Sequence, residues 1–498
     1  MSTTVVSAPG KVLIAGGYLV LDPAYTGVVV STSSRFYTVI SDGNGFNPGR
    51  VTVKSPQFTD GLWEYDVNVK GEEVEVVQVQ EGEHRSILKP RNKFVQLAIQ
   101  RSLLLALELK GAASLESSLS KGLNIYILGA NDFYSQRSAL ASLNLPRTLE
   151  ALHKLTPFRP CNVPISQVHK TGLGSSAALI TSLVCALLLH AGVVSTSELS
   201  KAELTHDRKL VHNAAQYVHC LAQGKVGSGF DVASAVFGSQ LYRKFGPAVL
   251  EPLMGDSVHA KLLAETLRPE NPKWDHEVKP FRLPPGLRLM LADVDAGSDT
   301  PSLIGKVLSW RKNNVEEALH VWTAISEANS CLAVSLNELS ELNDADPATY
   351  TAVFTKAAAL IKAKWSTAFE DPASDKIVNV LSEVATATED IRSGMRQMGI
   401  LADVPIEPDE QCRLLDACIA VPGVIGGGVP GAGGYDAIWL LVIDGGETQG
   451  ALSTVEGVWQ SWTEMSVSPL MAWESHEGGA RVEKIENVPG LVEAIGNE

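Results

Sequence analysis

The chain has 498 residues, of which 45% are hydrophobic and 19% charged, so it has material for two or three domains and is neither disordered nor fibrous. Lys plus Arg number 41 against 56 Asp plus Glu, a net charge of −15, and the basic residues form no run, which argues against nucleic acid or an anionic membrane as partner. The six cysteines are scattered without a CxxC pair, which fits a reducing compartment and no structural metal.

The opening, Val5 to Gly17, reads as two short β segments around Pro9-Gly10, followed by a sharp bend at Gly16-Gly17. Val28 to Ile40 is rich in β-branched residues, and the alternating runs Leu62 to Val69 and Val74 to Gln80 predict a hairpin. Phe94 to Leu109 has helical spacing. Leu123 to Leu128 and Val163 to Val168 read as strands before a helix that starts at Ser175. Ala177 to Val194 is apolar enough to resemble a membrane span, but Thr181, Ser182 and His190 interrupt it, so a buried helix is expected and no membrane insertion. Glu198 to Gln223 reads as one further helical stretch and Ser239 to Phe245 as a strand. After Leu287 to Val294, another strand, the residues from Ser302 to Met398 keep helical spacing, punctuated by Pro347 and Pro372. A glycine-rich stretch then leads into a buried strand at Tyr435 to Ile443. The texture changes between Phe245 and Leu287, where a mixed N-terminal domain gives way to an α+β C-terminal one. The termini carry no recognisable address, so a cytoplasmic location is expected.

Four segments can carry chemistry. In Lys170-Thr171-Gly172-Leu173-Gly174-Ser175-Ser176-Ala177 the glycines stand directly before a long helix, where backbone N–H groups and the positive helix end favour a phosphate. The same residues suit a plain helix cap, and G-x-G-x-x-A also suits a dinucleotide loop. The dinucleotide reading lacks a second strand ending in an acid about twenty residues on, and the chain has no Walker-type motif. Asp231, after the turn Gly224 to Gly229, can orient a nucleophile, pair with a lysine, or simply cap a helix. Lys11 enters an apolar strand and either reaches water or meets a buried acid. Glycine fills six of the nine positions 426–434, at an entropic cost that points to a close chain approach, although a structural turn remains open.

Taken together, Ala8-Pro9-Gly10-Lys11-Val12, Gly172-Leu173-Gly174-Ser175-Ser176-Ala177-Ala178 and Gly431-Ala432-Gly433-Gly434 resemble, in order and spacing, the three motifs of the GHMP kinases. Gly16-Gly17-Tyr18-Leu19, Asn131-Asp132-Phe133-Tyr134, Gly227-Ser228-Gly229-Phe230-Asp231 and Gly433-Gly434-Tyr435-Asp436 narrow the likeness to the fungal and plant type of phosphomevalonate kinase, over nearly the whole chain. The resemblance implies an α+β fold: an N-terminal ribosomal protein S5 domain 2-like domain over 1–246 and a ferredoxin-like domain over 247–498. It implies ATP and Mg²⁺ as cofactors and mevalonate 5-phosphate as the small-molecule partner, converted to mevalonate 5-diphosphate in isoprenoid and sterol synthesis. Monomer and homodimer both remain open. By motif, Lys11 and Asp231 are the expected catalytic pair. Lys170, Gly172, Leu173, Gly174, Ser175, Ser176, Ala177 and Asn92 are expected at the nucleotide, with Ser176 also at the metal. Tyr18, Ser228, Ala432 and Gly433 are expected at the acceptor, with Lys170, Arg137, Lys89 and Arg396 as candidate cations for it. One departure stands out: some relatives carry a metal-ligating glutamate eleven residues before the aspartate, and Cys220 occupies that place. The alternatives are another kinase of the class, such as one acting on mevalonate, a Rossmann-type oxidoreductase, or a silent binding protein of the same fold.

Overall fold

The computed structural model describes residues 3–43, 47–80, 91–201, 203–255, 257–294, 300–369, 371–444 and 450–496. Its strands are β1 (Thr3–Ala15), β2 (Thr26–Asp42), β3 (Arg50–Lys54), β4 (Leu62–Lys70), β5 (Glu73–Gln78), β6 (Leu123–Gly129), β7 (Gln240–Arg243), β8 (Glu277–Pro280), β9 (Leu287–Asp293), β10 (Val424–Gly428), β11 (Ala437–Ile443), β12 (Ser468–Leu470) and β13 (Arg481–Val482). The first sheet runs β13-β1-β2-β6-β3-β4-β5, with β7 attached to β2 and β8 to β7, and within it β3 and β6 are parallel. The second is the antiparallel sheet β10-β11-β9-β12.

Strand β1 is one continuous element rather than two short ones. The Pro9-Gly10 pair is absorbed as an irregularity, where the pairing with β2 slips between Pro9–Arg35 and Lys11–Ser31. Gly10 is required at this point: a Cβ there would lie 2.8 Å from the Leu173 carbonyl oxygen, so its absence lets β1 abut the glycine-led segment at 172–174. The expected bend follows at Gly16 and Gly17, both with positive φ, in front of the short 3₁₀ turn Gly17–Leu21.

The helices Lys93–Lys110, Ser175–His190 and His206–Gln223 pack together, and the second of them lies on β1 and β2. It is apolar on every side and buried over most of its length, as a core helix must be. Among the described residues no helix is long and apolar enough to cross a membrane. Two expected elements differ. Val163 to Val168 is not a strand, because Pro164 has no N–H to donate and the Asp60 carboxylate accepts the Ile165 N–H, leaving a 3₁₀ turn. Glu198 to Gln223 is broken in two, since the Ser195 and Thr205 hydroxyls each cap a new start, at Thr196–Leu199 and at His206.

In the second half, Thr300–Asn313, Val315–Ala345, Pro347–Ala358 and Pro372–Ala402 are helices. Pro347 and Pro372 each begin one, behind the caps Asp346 and Asp371, so the prolines mark starts rather than kinks. Strands β8 and β13 both lie beyond residue 247 yet belong to the first sheet, so a cut at 246/247 passes through that sheet. Arg35, buried against the tail, donates to the Gly479 carbonyl and helps hold the returning chain there. The main core runs without a break from Val12 through Leu183 to Leu336 and Trp439, which fixes the two sheets around the Lys11 region.

Candidate functional site

The helix Ser175–His190 starts without a side-chain cap. Gly174 precedes it in the left-handed region (φ 77°), and the half-buried Ser175 and Ser176 open its first turn. The first N–H groups of an α-helix have no partner within it, so this start is a ready anion site. Leu173 and Ala177 are buried, and Leu173 contributes through its backbone: its carbonyl accepts the Lys11 N–H at 2.9 Å.

Lys11 extends across this start. Its Nζ donates to the Gly172 carbonyl at 3.0 Å and lies 5.5 Å from the centre of the Phe230 ring. A Cβ on Gly174 would sit 3.0 Å from Lys11 Cε, so that glycine is the floor on which the lysine rests. Burial pushes the ammonium below the ordinary lysine range, opposed by the charges of Asp231 and Asp436. Asp231 opens the helix Phe230–Phe237 and accepts its own neighbour's N–H, from Val232, at 2.9 Å. Lys11 and Asp231 thus interact through charge, and no direct ion pair joins them. The imidazole of His219 stands beside Asp231, with Nε2 3.8 Å from Oδ2.

His219 is a residue that sequence reasoning missed. It is buried on the helix His206–Gln223, with Nε2 3.1 Å from Ser176 Oγ. The only hint was its position beside Cys220. That cysteine is itself turned into the core, where burial pushes its thiol up and Gln216 donates to Sγ at 3.2 Å. Asp436 was also missed, although it stands in a quoted motif; its Cβ comes within 3.8 Å of where a Gly172 Cβ would be.

The acceptor candidates divide. Tyr18 and Ala432 are brought together: the buried Tyr18 hydroxyl donates to the Ala432 carbonyl at 2.8 Å, joining the bend after β1 to the glycine turn before β11. Residues 426–428 of the glycine stretch are strand β10, and the turn that follows is anchored by the Gly434 N–H donating to the Ile406 carbonyl. Gly433 has φ 74°, and a Cβ there would lie 2.1 Å from Ile406 O, so the close approach is to the chain itself. Gly433→Ala is expected to lose at least the roughly 1–3 kcal/mol of a strained left-handed residue, read as a lower denaturant midpoint. An unchanged midpoint would show that this turn yields freely. Ser228 uses its carbonyl to accept from the Tyr242 hydroxyl.

Asn92 caps the helix Lys93–Lys110 through Val95 N–H, which accounts for its residue type without a ligand. Two residues on, the Phe94 ring lies 6.4 Å from that of His219, so this helix start does border the site. Lys170 is exposed beside the phosphate segment. Arg137 is committed to Asp293 at 3.0 Å, and Arg396 to Glu407 and Glu389, both at 3.2 Å. Lys89 lies outside the described residues.

A mixed two-sheet frame with a glycine-led, uncapped helix start is the architecture of the GHMP kinases, and residues 147–239 match the family of GHMP kinases N terminal domains. The fold agrees with that of a phosphomevalonate kinase from Streptococcus pneumoniae solved with phosphomevalonate and AMPPNP (TM-score 0.57, 14% identity, 95% of this chain and 99% of that one). It agrees likewise with the Lin0012 protein of Listeria innocua (TM-score 0.62, 16% identity, 97% of this chain and all of that one). Closer in sequence are a phosphomevalonate kinase of Arabidopsis thaliana named as peroxisomal, 38% identical with 95% of each chain covered, and one of Aspergillus fumigatus, 36% identical with 93% of this chain and 92% of the relative covered. The chain belongs to the phosphomevalonate kinases. It is an ATP-dependent phosphotransferase of the GHMP class, not a dinucleotide-dependent oxidoreductase.

Proposed function

We propose that the region around Lys11, Ser175 and Ser176 transfers the γ-phosphoryl group of ATP to the phosphate of mevalonate 5-phosphate. The observation that carries this reading is Lys11: a half-buried lysine whose ammonium is held against an uncapped helix start, with Asp231 and Asp436 as counter-charges. Phosphoryl transfer needs alignment and positive charge at the moving oxygens far more than covalent help. Backbone N–H groups of 174–177 would grip the polyphosphate, and Lys11 would stabilise charge on the transferred group. An acceptor phosphate has a second pKa near ~6, so at neutral pH it is mostly the dianion and needs no general base. Asp231 then serves to hold Lys11 charged by Coulomb attraction rather than to take a proton.

The donor set suits Mg²⁺ modestly. Ser176 Oγ is a hard oxygen ligand at the helix start, Asp231 adds negative charge beside the same His219 nitrogen, and phosphate oxygens and water would complete a shell that keeps few protein ligands. When bound, the ion neutralises charge on the phosphates. Cys220 does not take part, since a buried neutral thiol is a poor partner for a hard cation. Among the candidate cations in the described residues, Lys170 is the best placed to meet the acceptor, because Arg137 and Arg396 already answer carboxylates.

Supplying mevalonate and mevalonate 5-phosphate separately with Mg-ATP, and following ADP release, tests the acceptor. Turnover is expected with the phosphorylated acceptor alone; faster release with mevalonate would overturn the assignment. We further propose a nucleotide-binding domain over 1–246, whose sheet is completed by β8 and β13 from beyond it, a ferredoxin-like domain formed by the rest of 247–498, and residence in the cytosol. Imaging of the tagged chain in its host would show peroxisomal puncta if the latter reading fails.

A further inference from the structure

The helix His206–Gln223 places His219 against the start of the helix Ser175–His190. Its imidazole is 3% exposed, and Nε2 faces three groups: Ser176 Oγ at 3.1 Å, the Gln223 side-chain amide, one turn along the same helix, at 3.2 Å, and Asp231 Oδ2 at 3.8 Å, too far for a hydrogen bond. With the ring proton on Nδ1, the imidazole has a single lone pair, on Nε2, and Ser176 Oγ is the nearer of the two groups within hydrogen-bond distance of it. That lone pair is the acceptor assigned to the Ser176 hydroxyl proton. The usual alternative for a helical serine, the carbonyl four residues back, is Gly172 O, which already receives Lys11 Nζ. With its proton turned toward His219, Ser176 Oγ presents its lone pairs away from the imidazole, the orientation a hydroxyl needs to ligate a hard cation.

We propose that His219 is a positioning residue that orients the Ser176 hydroxyl for Mg²⁺. The helix that carries Cys220 in place of a direct carboxylate ligand thereby acts on the metal at one remove, through the residue before it. This inference rests on the reading of Ser176 as a metal ligand. Outer partners of this kind fix the direction of a ligand's lone pairs, and their loss weakens metal binding rather than nucleotide binding as such.

The test is calorimetric titration of the full chain with AMPPNP, with and without Mg²⁺, in three variants whose folding is checked by thermal unfolding. His219→Asn keeps a polar side chain but brings its amide only to the position of Nδ1; His219→Gln reaches the position of Nε2 and offers a carbonyl oxygen there. His219→Asn is expected to lose about 10–100-fold of the affinity gained on adding Mg²⁺, with metal-free affinity within about twofold of the parent, and His219→Gln to recover most of the loss. Equal weakening with and without metal in His219→Asn, or identical behaviour of the Asn and Gln variants, would overturn the proposal. Ser176→Ala separates it from the reading beneath it. If that variant keeps the full gain from Mg²⁺, Ser176 is not a ligand; if it loses the gain while both His219 variants keep it, only the role of His219 fails.

Discussion

Lys11→Met is expected to lower kcat by about 10²–10³, the cost of removing one preorganised donor from a developing anion, while leaving the KM for ATP within a few-fold. The apolar stem of Met can follow the lysine's path over Gly174 and beside Phe230, so the variant isolates the charge from the packing. Asp231→Asn is expected to cost less, because Asp436 still acts on the ammonium. The two variants also differ in pH dependence. Burial holds the Lys11 ammonium below the ordinary lysine value, and the protonated form is the active one, so activity is present below its shifted pKa and is lost as pH rises through it. Removing the Asp231 charge takes away part of what opposes that depression, so the alkaline limb of the kcat profile is expected to move to lower pH in Asp231→Asn. Comparable kcat losses in the two variants, with no movement of that limb, would mean that Asp231 is a base and not an anchor.

Gly174→Ala is expected to raise the KM for ATP about tenfold and to lower kcat about 10²-fold, since misplacement by about 1 Å at a reacting centre has that effect. Two causes coincide there. The left-handed φ of 77° costs an alanine roughly 1–2 kcal/mol, and the new Cβ would stand 3.0 Å from Lys11 Cε and 3.2 Å from Cγ, so the lysine must move. Gly224→Ala is the control. Gly224 is also left-handed, at φ 72°, but a Cβ there meets nothing within 4 Å. It should lower stability by a similar amount and leave kcat within about twofold. Steady-state kinetics on the pair decide the point: equal kcat losses would trace the effect to backbone strain alone and remove Gly174 from the site.

The parts of the fold legible in sequence are those whose signals are local. The all-apolar run from Ala177 predicts a buried helix, and the helix Ser175–His190 is one. The alternating runs around residues 70–73 predict a hairpin, and β4 pairs with β5 there. The misreadings have two kinds of cause, one distant and one local. Pro9-Gly10 is a turn signal that a distant segment of the same chain overrides, since the close approach of Leu173 O holds β1 extended. At Ser195 and Thr205 two hydroxyl caps divide a stretch that helical periodicity alone would keep whole.

For the candidate site, the segment 170–177, Lys11 and Asp231 stood out because their motifs occur together in the order and spacing of one family, although each alone has other uses, and the sequence by itself determined the class of protein and the chemistry it carries. What only the tertiary structure decided is which groups answer one another. His219 meets Ser176 from a helix 43 positions away, Tyr18 closes on Ala432 across 414, and Asp436 joins Asp231 as a second counter-charge to Lys11. Such pairings depend on how two sheets and their helices pack around a shared core. Hydrogen bonds and Coulomb forces act over a few ångströms of space whatever the separation along the chain, so no local pattern in the sequence records them.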